Sequence, residues 1–158
     1  MQNPIKNEWA VLALFFVACF AVAGLGSLAT NPEIPTWYAK LKKPSWTPPN
    51  WLFGPVWSVL YAAMAIAGWM VWKREGWRVA LTFFAAQLAL NLAWSFVFFK
   101  FHNTGLAFAE IVLLWVAILA TAISFAPISK VAAALFVPYL IWVTYAAALN
   151  FSIWRLND

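Results

Sequence analysis

Residues Pro44–Tyr61 read PSWTPPNWLFGPVWSVLY. The first fourteen hold four prolines and three tryptophans, and the remainder runs into apolar sequence. Prolines fix the backbone at low entropic cost and keep a segment out of a helix. Tryptophans bury much apolar area and are poorly suited to a solvated spacer. The stretch therefore reads as a stiff, anchored connection that becomes a helix near Trp51. Pro48-Pro49 stand just before that helix, and Pro55 falls in about its first turn, where a missing N–H matters least.

The sequence on either side says what the helix sits in. Hydrophobic residues make up 65% of the 158 and charged residues 9%, against roughly 45–50% and about 25% in soluble domains. A soluble chain this apolar could not cover its own surface with polar groups. A bilayer span needs about 20 mostly apolar residues. Five runs meet that length: Trp9–Leu28, Trp51–Trp72, Val79–Phe99, Leu106–Phe125 and Val131–Trp154. The expectation is an all-α integral membrane protein with helices at about 9–29, 51–73, 79–99, 105–125 and 130–154. They form a single transmembrane domain over 1–158, with the Trp/Pro-rich first loop, about 30–50, as a lid. The first run, with Lys6 before it and Ala21-Val22-Ala23 within it, has the outline of a signal peptide. It continues through Leu28, longer than a typical signal core, and is read as a retained span.

The net charge of +5 does not point to nucleic acid, because the basic residues sit at helix ends, where they meet headgroups. Lys6, Lys73, Arg74, Arg78 and Lys130 fall at one end of the bundle. Lys40, Lys42, Lys43, Lys100 and Arg155 fall at the other. The count is balanced, so charge does not orient the bundle in its membrane. Cys19 is alone in an apolar run and offers neither a disulfide nor a thiolate metal pair. No metal or nucleotide motif is present, and no nucleophile–base pair or glycosidase-type carboxylate pair is visible.

Polar residues at membrane depth are informative, because hydrocarbon cannot solvate them. Gln87 and Asn91 are four apart and share a helix face, which Trp94 and Phe98 extend. Trp57, Tyr61, Met64 and Gly68 follow the same spacing on the second helix. Pro138, Trp142, Ala146, Leu149 and Asn150 share a face of the fifth, where Pro138 is expected to kink the helix. Gly24, Ser27 and Leu28 on the first helix permit close approach or leave room for a ligand. These faces would line a flat aromatic slot with a few polar points, the recipe of a small-molecule pocket. The same stripes also suit plain helix packing, and the two amides suit interhelical hydrogen bonding. Glu110 lies ~9 Å along the fourth helix and is either a proton- or substrate-handling carboxylate or a structural one. Ala85, Ala89 and Ala93 make a small-residue ridge on the third helix, suited to helix–helix or dimer packing. His102, the single histidine, reads as an interfacial loop residue.

Three stretches carry a family resemblance: WYAKLKKPSWTPPNWLFGPVWSVLYAAM (Trp37–Met64), QLALNLAWSFVFF (Gln87–Phe99) and PYLIWVTYAAALNFSIWRLN (Pro138–Asn157). Together they resemble the signature stretches of the TspO/MBR family, the tryptophan-rich sensory proteins and translocator proteins, also called peripheral benzodiazepine receptors. The resemblance implies five transmembrane helices, often as a homodimer, and a pocket closed by the first loop. It implies protoporphyrin IX, haem, sterols, isoquinoline carboxamides and benzodiazepines as ligands, with no obligatory cofactor. By position it implies pocket residues Trp37, Trp46, Pro48, Phe53, Trp57 and Tyr61, then Asn91, Trp94 and Phe98, then Trp142, Ala146 and Leu149. The family's fourth-helix acid corresponds to Glu110. In the sterol-recognition stretch of animal members, Phe151 stands here where they have tyrosine, which puts tight sterol binding in doubt.

Three functions follow as expectations. The first is a tetrapyrrole-binding sensor, carrier or scavenger, with Lys40, Lys42 and Lys43 near the mouth to meet propionates. The second, implied by the resemblance, is light- and oxygen-dependent breakdown of protoporphyrin IX, with Trp57 as participant. The third is a proton-coupled exporter that uses Glu110. With His102 as the only imidazole, a haem would be held by its faces and propionates rather than by a strong axial ligand.

Overall fold

The computed structural model describes residues 7–158; Lys6, counted above among the basic residues, lies outside them. Helix α1 runs Glu8–Thr30, α2 Asn50–Glu75, α3 Val79–Ser95, α4 Thr104–Phe125, α5 Lys130–Leu135 and α6 Val137–Asn157. These make five spans long and apolar enough to cross a bilayer, with α5 and α6 sharing the fifth. The outside of the bundle is apolar: Leu14, Val17, Val59, Ile123 and Ile141 are all exposed. Water would reject such a surface, and hydrocarbon accepts it.

Helix starts follow local chemistry. The Asn7 side chain accepts from the Ala10 amide, Asn103 from Leu106 and Ser129 from Ala132, each satisfying an orphan first-turn donor. Helix α2 ends at Gly76, which adopts φ 68° and donates to the Trp72 carbonyl at 2.8 Å. Only glycine takes that conformation without strain, and it turns the chain into α3.

Three elements differ from the expected plan. Because α2 begins at Asn50, Pro55 lies in its second turn and has no amide to offer the Trp51 carbonyl. The fifth span is two helices rather than one kinked helix. The break falls at Phe136, so Pro138 enters α6 in its first turn, where its missing N–H is not needed. Two wide turns of π-helix appear, at Ile34–Tyr38 inside the first loop and at Phe96–Lys100 after α3. The second closes with the Phe101 amide on the Phe96 carbonyl at 2.9 Å. Such turns rotate the following side chains relative to a regular helix.

In cross-section α2 packs on α1, α1 on α3, α3 on α4 and α4 on α6, while α5 returns to α2. The end carrying α5 has an aromatic core. Phe84, Phe125 and Phe136 pack ring on ring there, with Phe125 and Phe136 centroids 5.4 Å apart. Lys73 pairs with Glu8 at 2.7 Å, Trp9 stacks on Trp69, and Arg74 donates to the Ile128 carbonyl. At the other end the α2 and α6 backbones stay apart, and aromatic side chains line the gap. Phe53 meets Trp142 at 6.0 Å, and Trp57 meets Tyr139 at 6.1 Å.

Of the first-helix face Gly24, Ser27, Leu28, Ser27 borders the space between the helices and the other two do not. Gly24 has open space beside it and Leu28 is exposed. Gly26 is the close-approach residue, since a Cβ there would sit 3.2 Å from Ser95 Oγ. Gly68 is tighter still, with a Cβ reaching 2.7 Å from the Phe15 ring. Overpacking of this kind costs about 1–3 kcal/mol. Gly68→Ala is therefore expected to lower the thermal unfolding midpoint in detergent, whereas Gly24→Ala leaves it unchanged.

Candidate functional site

The gap between α2 and α6 is a cavity of about 480 Å³ beneath the first loop. Its aromatic wall comes from Phe53, Trp57, Tyr61, Trp94, Phe98 and Trp142, with Ala146 and Leu149 beside them on α6. Four helices supply it, because each carries its stripe at three-four spacing and the ring of helices turns those stripes inward. The π turn after α3 brings both Phe98 and Phe99 into the wall.

Asn91 sets the floor. It is 4% exposed, accepts from the Tyr61 hydroxyl at 2.6 Å and donates to the Tyr139 hydroxyl at 2.7 Å. One amide thus satisfies two buried phenols on two other helices. A second bridge runs from the Trp94 indole to Asn150 Oδ1 at 2.9 Å, and from Asn150 Nδ2 to the Thr104 carbonyl at 2.8 Å. Gln87, one turn below Asn91, points its amide at Met64 Sδ, 3.7 Å away, and takes no part in the cavity. The Trp142 indole N–H is buried in the wall with no acceptor.

The loop is fastened from outside. The Trp37 ring stacks on the His102 imidazole at 4.2 Å and 10°, and stands edge-on to Phe98 at 5.5 Å. His102 Nε2 lies 2.9 Å from Glu33 Oε2. His102 holds φ 54°, unusual for a residue with a side chain. Lys43 donates to the Tyr38 and Leu41 carbonyls at 2.7 and 3.0 Å and sits over the Tyr38 ring. Burial, with a smaller push from Tyr145, raises the Tyr38 phenol to about 12, so it stays neutral. Asn157 clamps Lys42 by accepting from its amide and donating to its carbonyl, both at 2.9 Å. Tyr145 donates to the Trp46 carbonyl at 2.6 Å.

Of the residues singled out in the sequence, Ser27, Phe53, Trp57, Tyr61, Asn91, Trp94, Phe98, Trp142, Ala146, Leu149 and Asn150 come together in the lining. Trp37, Trp46 and Pro48 lie outside it: Trp37 and Trp46 fasten the lid, and Pro48 precedes α2. Glu110 is outside it too, with both carboxylate oxygens buried and unpartnered in α4. Lys43 is committed to the loop backbone, while Lys40 and Lys42 are exposed. His102 is not an idle loop residue but the seat of the lid. Sequence reading missed Phe20, Ile34, Tyr38 and Ser95 in the lining. Only the spacing of Ser95, four residues beyond Asn91, gave a hint.

This is an integral membrane protein with an aromatic, loop-covered cavity between its helices. The TspO/MBR family profile matches residues 15–155. The tryptophan-rich protein TspO of Chlorobaculum tepidum is 45% identical over 157 residues, covering 97% of this chain and 99% of the relative. Protein CrtK of Rhodobacter capsulatus is 44% identical over 93% of this chain and 92% of the relative. The human translocator protein is 40% identical over 89% and 84%. The chain belongs to the TspO/MBR family.

Two outcomes check this geometry. Asn91→Ala strands two buried phenols at about 1–3 kcal/mol each, and is expected to lower the unfolding midpoint more than Gln87→Ala does. His102→Gly relaxes the backbone but removes the seat of Trp37. Trypsin should then cut at Lys40 and Lys42 faster than in the parent, with helical circular dichroism unchanged.

Proposed function

We propose that the cavity binds a flat, mostly apolar macrocycle of the tetrapyrrole class, such as protoporphyrin IX or haem. The protein would then serve as a sensor, carrier or scavenger of it. The observation that carries this reading is the wall itself: four indoles and Phe98 around an amide floor, in a volume within the range of small-molecule sites, about 300–1,000 Å³. Exposed Lys40 and Lys42 can meet propionates at the mouth. His102 is occupied by Glu33 and Trp37, so a haem would be held by its faces rather than by this imidazole. The names of two relatives, tryptophan-rich sensory protein and translocator protein, agree with a binding role.

A second reading has one observation in its favour. Trp57 lies in the wall, edge-on to both Tyr139 and Trp142. It is placed to give up an electron to an excited porphyrin, as light-driven breakdown of protoporphyrin IX would require. The exporter reading loses support, because Glu110 does not face the cavity. Sterols are poorer candidates as well, since Phe151 packs with Phe108 and Trp154 away from the lining. Isoquinoline carboxamides would share the aromatic wall. Exposed Ala85 and Ala89 on α3 are where a second copy would pack to give a homodimer.

Titration with protoporphyrin IX in the dark, followed by tryptophan quenching, tests the reading. Saturable quenching is expected, weakened in Trp57→Phe and in Ala146→Thr, which adds bulk and a hydroxyl to the α6 wall. Linear quenching identical in all three overturns it. Illumination of the same samples then separates the second reading, which expects porphyrin loss that Trp57→Phe slows.

A further inference from the structure

Trp46 and Tyr145 are no part of the cavity wall, yet both connect to it. Trp57 meets Trp142 edge-on with ring centroids 6.5 Å apart. Trp142 lies 5.8 Å from Tyr145, and Tyr145 lies 5.5 Å from Trp46. The Tyr145 hydroxyl holds the last pair in place through the Trp46 carbonyl. Trp46 is 44% exposed, so the row starts in the cavity and ends at the protein surface. Each ring in it is an indole or a phenol, among the side chains most easily oxidised by one electron. Rings this close exchange electrons far faster than groups separated by aliphatic packing.

Two other rows leave the cavity, and neither serves as well. Trp94 reaches Trp37 only through Phe98, and a phenyl ring resists oxidation. Tyr61 and Tyr139 end on Asn91, with buried hydroxyls held by its amide and short of the protein surface.

We propose that Trp57, Trp142, Tyr145 and Trp46 form a path that carries an oxidising equivalent from a photo-excited ligand in the cavity to the surface, sparing the cavity wall. The proposal rests on the tetrapyrrole reading above. Trp57 loses one electron to the excited ligand, and dioxygen takes that electron on as superoxide. Trp142 refills Trp57, and Tyr145 refills Trp142 while its phenolic proton leaves to water. The Tyr145 radical then takes an electron from Trp46 and regains a proton, and the Trp46 indole proton goes to water. The net change is one electron from Trp46 to dioxygen and one proton released. A soluble thiol can return the electron and proton to Trp46. Without a reductant, dioxygen adds to the Trp46 radical and marks it by mass.

The test uses the full chain in detergent, loaded with protoporphyrin IX in the dark and illuminated in air without reductant. Oxygen addition is then mapped by peptide mass spectrometry. In the parent, Trp46 is expected to be marked ahead of Trp9 and Trp77, which are 71% and 62% exposed but off the path. Tyr145→Phe keeps the ring and breaks the path, so the mark on Trp46 is lost and marks appear on Trp57 and Trp142. Trp46→Phe removes the terminus, so marks retreat to Tyr145 and Trp142. Normal dark binding with marks ranked by exposure, unchanged in Tyr145→Phe, indicates diffusing singlet oxygen and overturns the path alone. Unsaturable dark quenching overturns the tetrapyrrole reading and the path with it.

Discussion

Asn91 sits at membrane depth, where hydrocarbon offers its amide no partner. Its oxygen meets Tyr61 on α2 and its nitrogen meets Tyr139 on α6. Those two helices do not pack backbone to backbone at this end. The amide therefore sets their separation through side chains, and the space above it remains a cavity. A leucine could fill the volume of Asn91, but it would leave two phenols without partners, which hydrocarbon penalises. Ordinary packing would draw α2 and α6 together; the hydrogen-bonded bridge favours an open arrangement with fixed walls.

The two ends of the bundle differ because proline and glycine act differently along the spans. Pro138 forces the fifth span to restart, and the short α5 before it swings onto α2 and plugs one end with Phe136. Gly68 lets Phe15 approach α2 closely in that same half. Toward the lid Trp57, Trp94 and Trp142 stand around the opening rather than closing it. The π turn at Phe96–Lys100 then shifts two more rings into the opening.

The lid stays in place through contacts within itself and to two other parts of the chain. His102 follows α3, Tyr145 and Asn157 belong to α6, and Glu33 and Lys43 belong to the loop itself. The prolines limit what the loop can do when released, so few contacts are needed to hold it. The same fastening brings Trp46 against Tyr145, extending the aromatic surroundings of the cavity to the outer surface.

Much of this was legible in the sequence. Five apolar runs set the class of fold, because a bilayer demands uninterrupted helices of a certain length. The face through Asn91, Trp94 and Phe98, and the faces through Trp57–Tyr61 and Trp142–Leu149, followed from helical spacing alone. The jobs of Trp37 and Trp46 did not, because periodicity says nothing about loops. Both tryptophans were expected in the pocket, and the structure turns them to its outer fastenings. His102 carried no sequence signal, since its partners are 69 and 65 residues away along the chain. Local pattern determined which side chains face inward from each helix. Only the tertiary structure decided which helices stand apart, because that separation is set by hydrogen bonds from one amide to residues on two other spans.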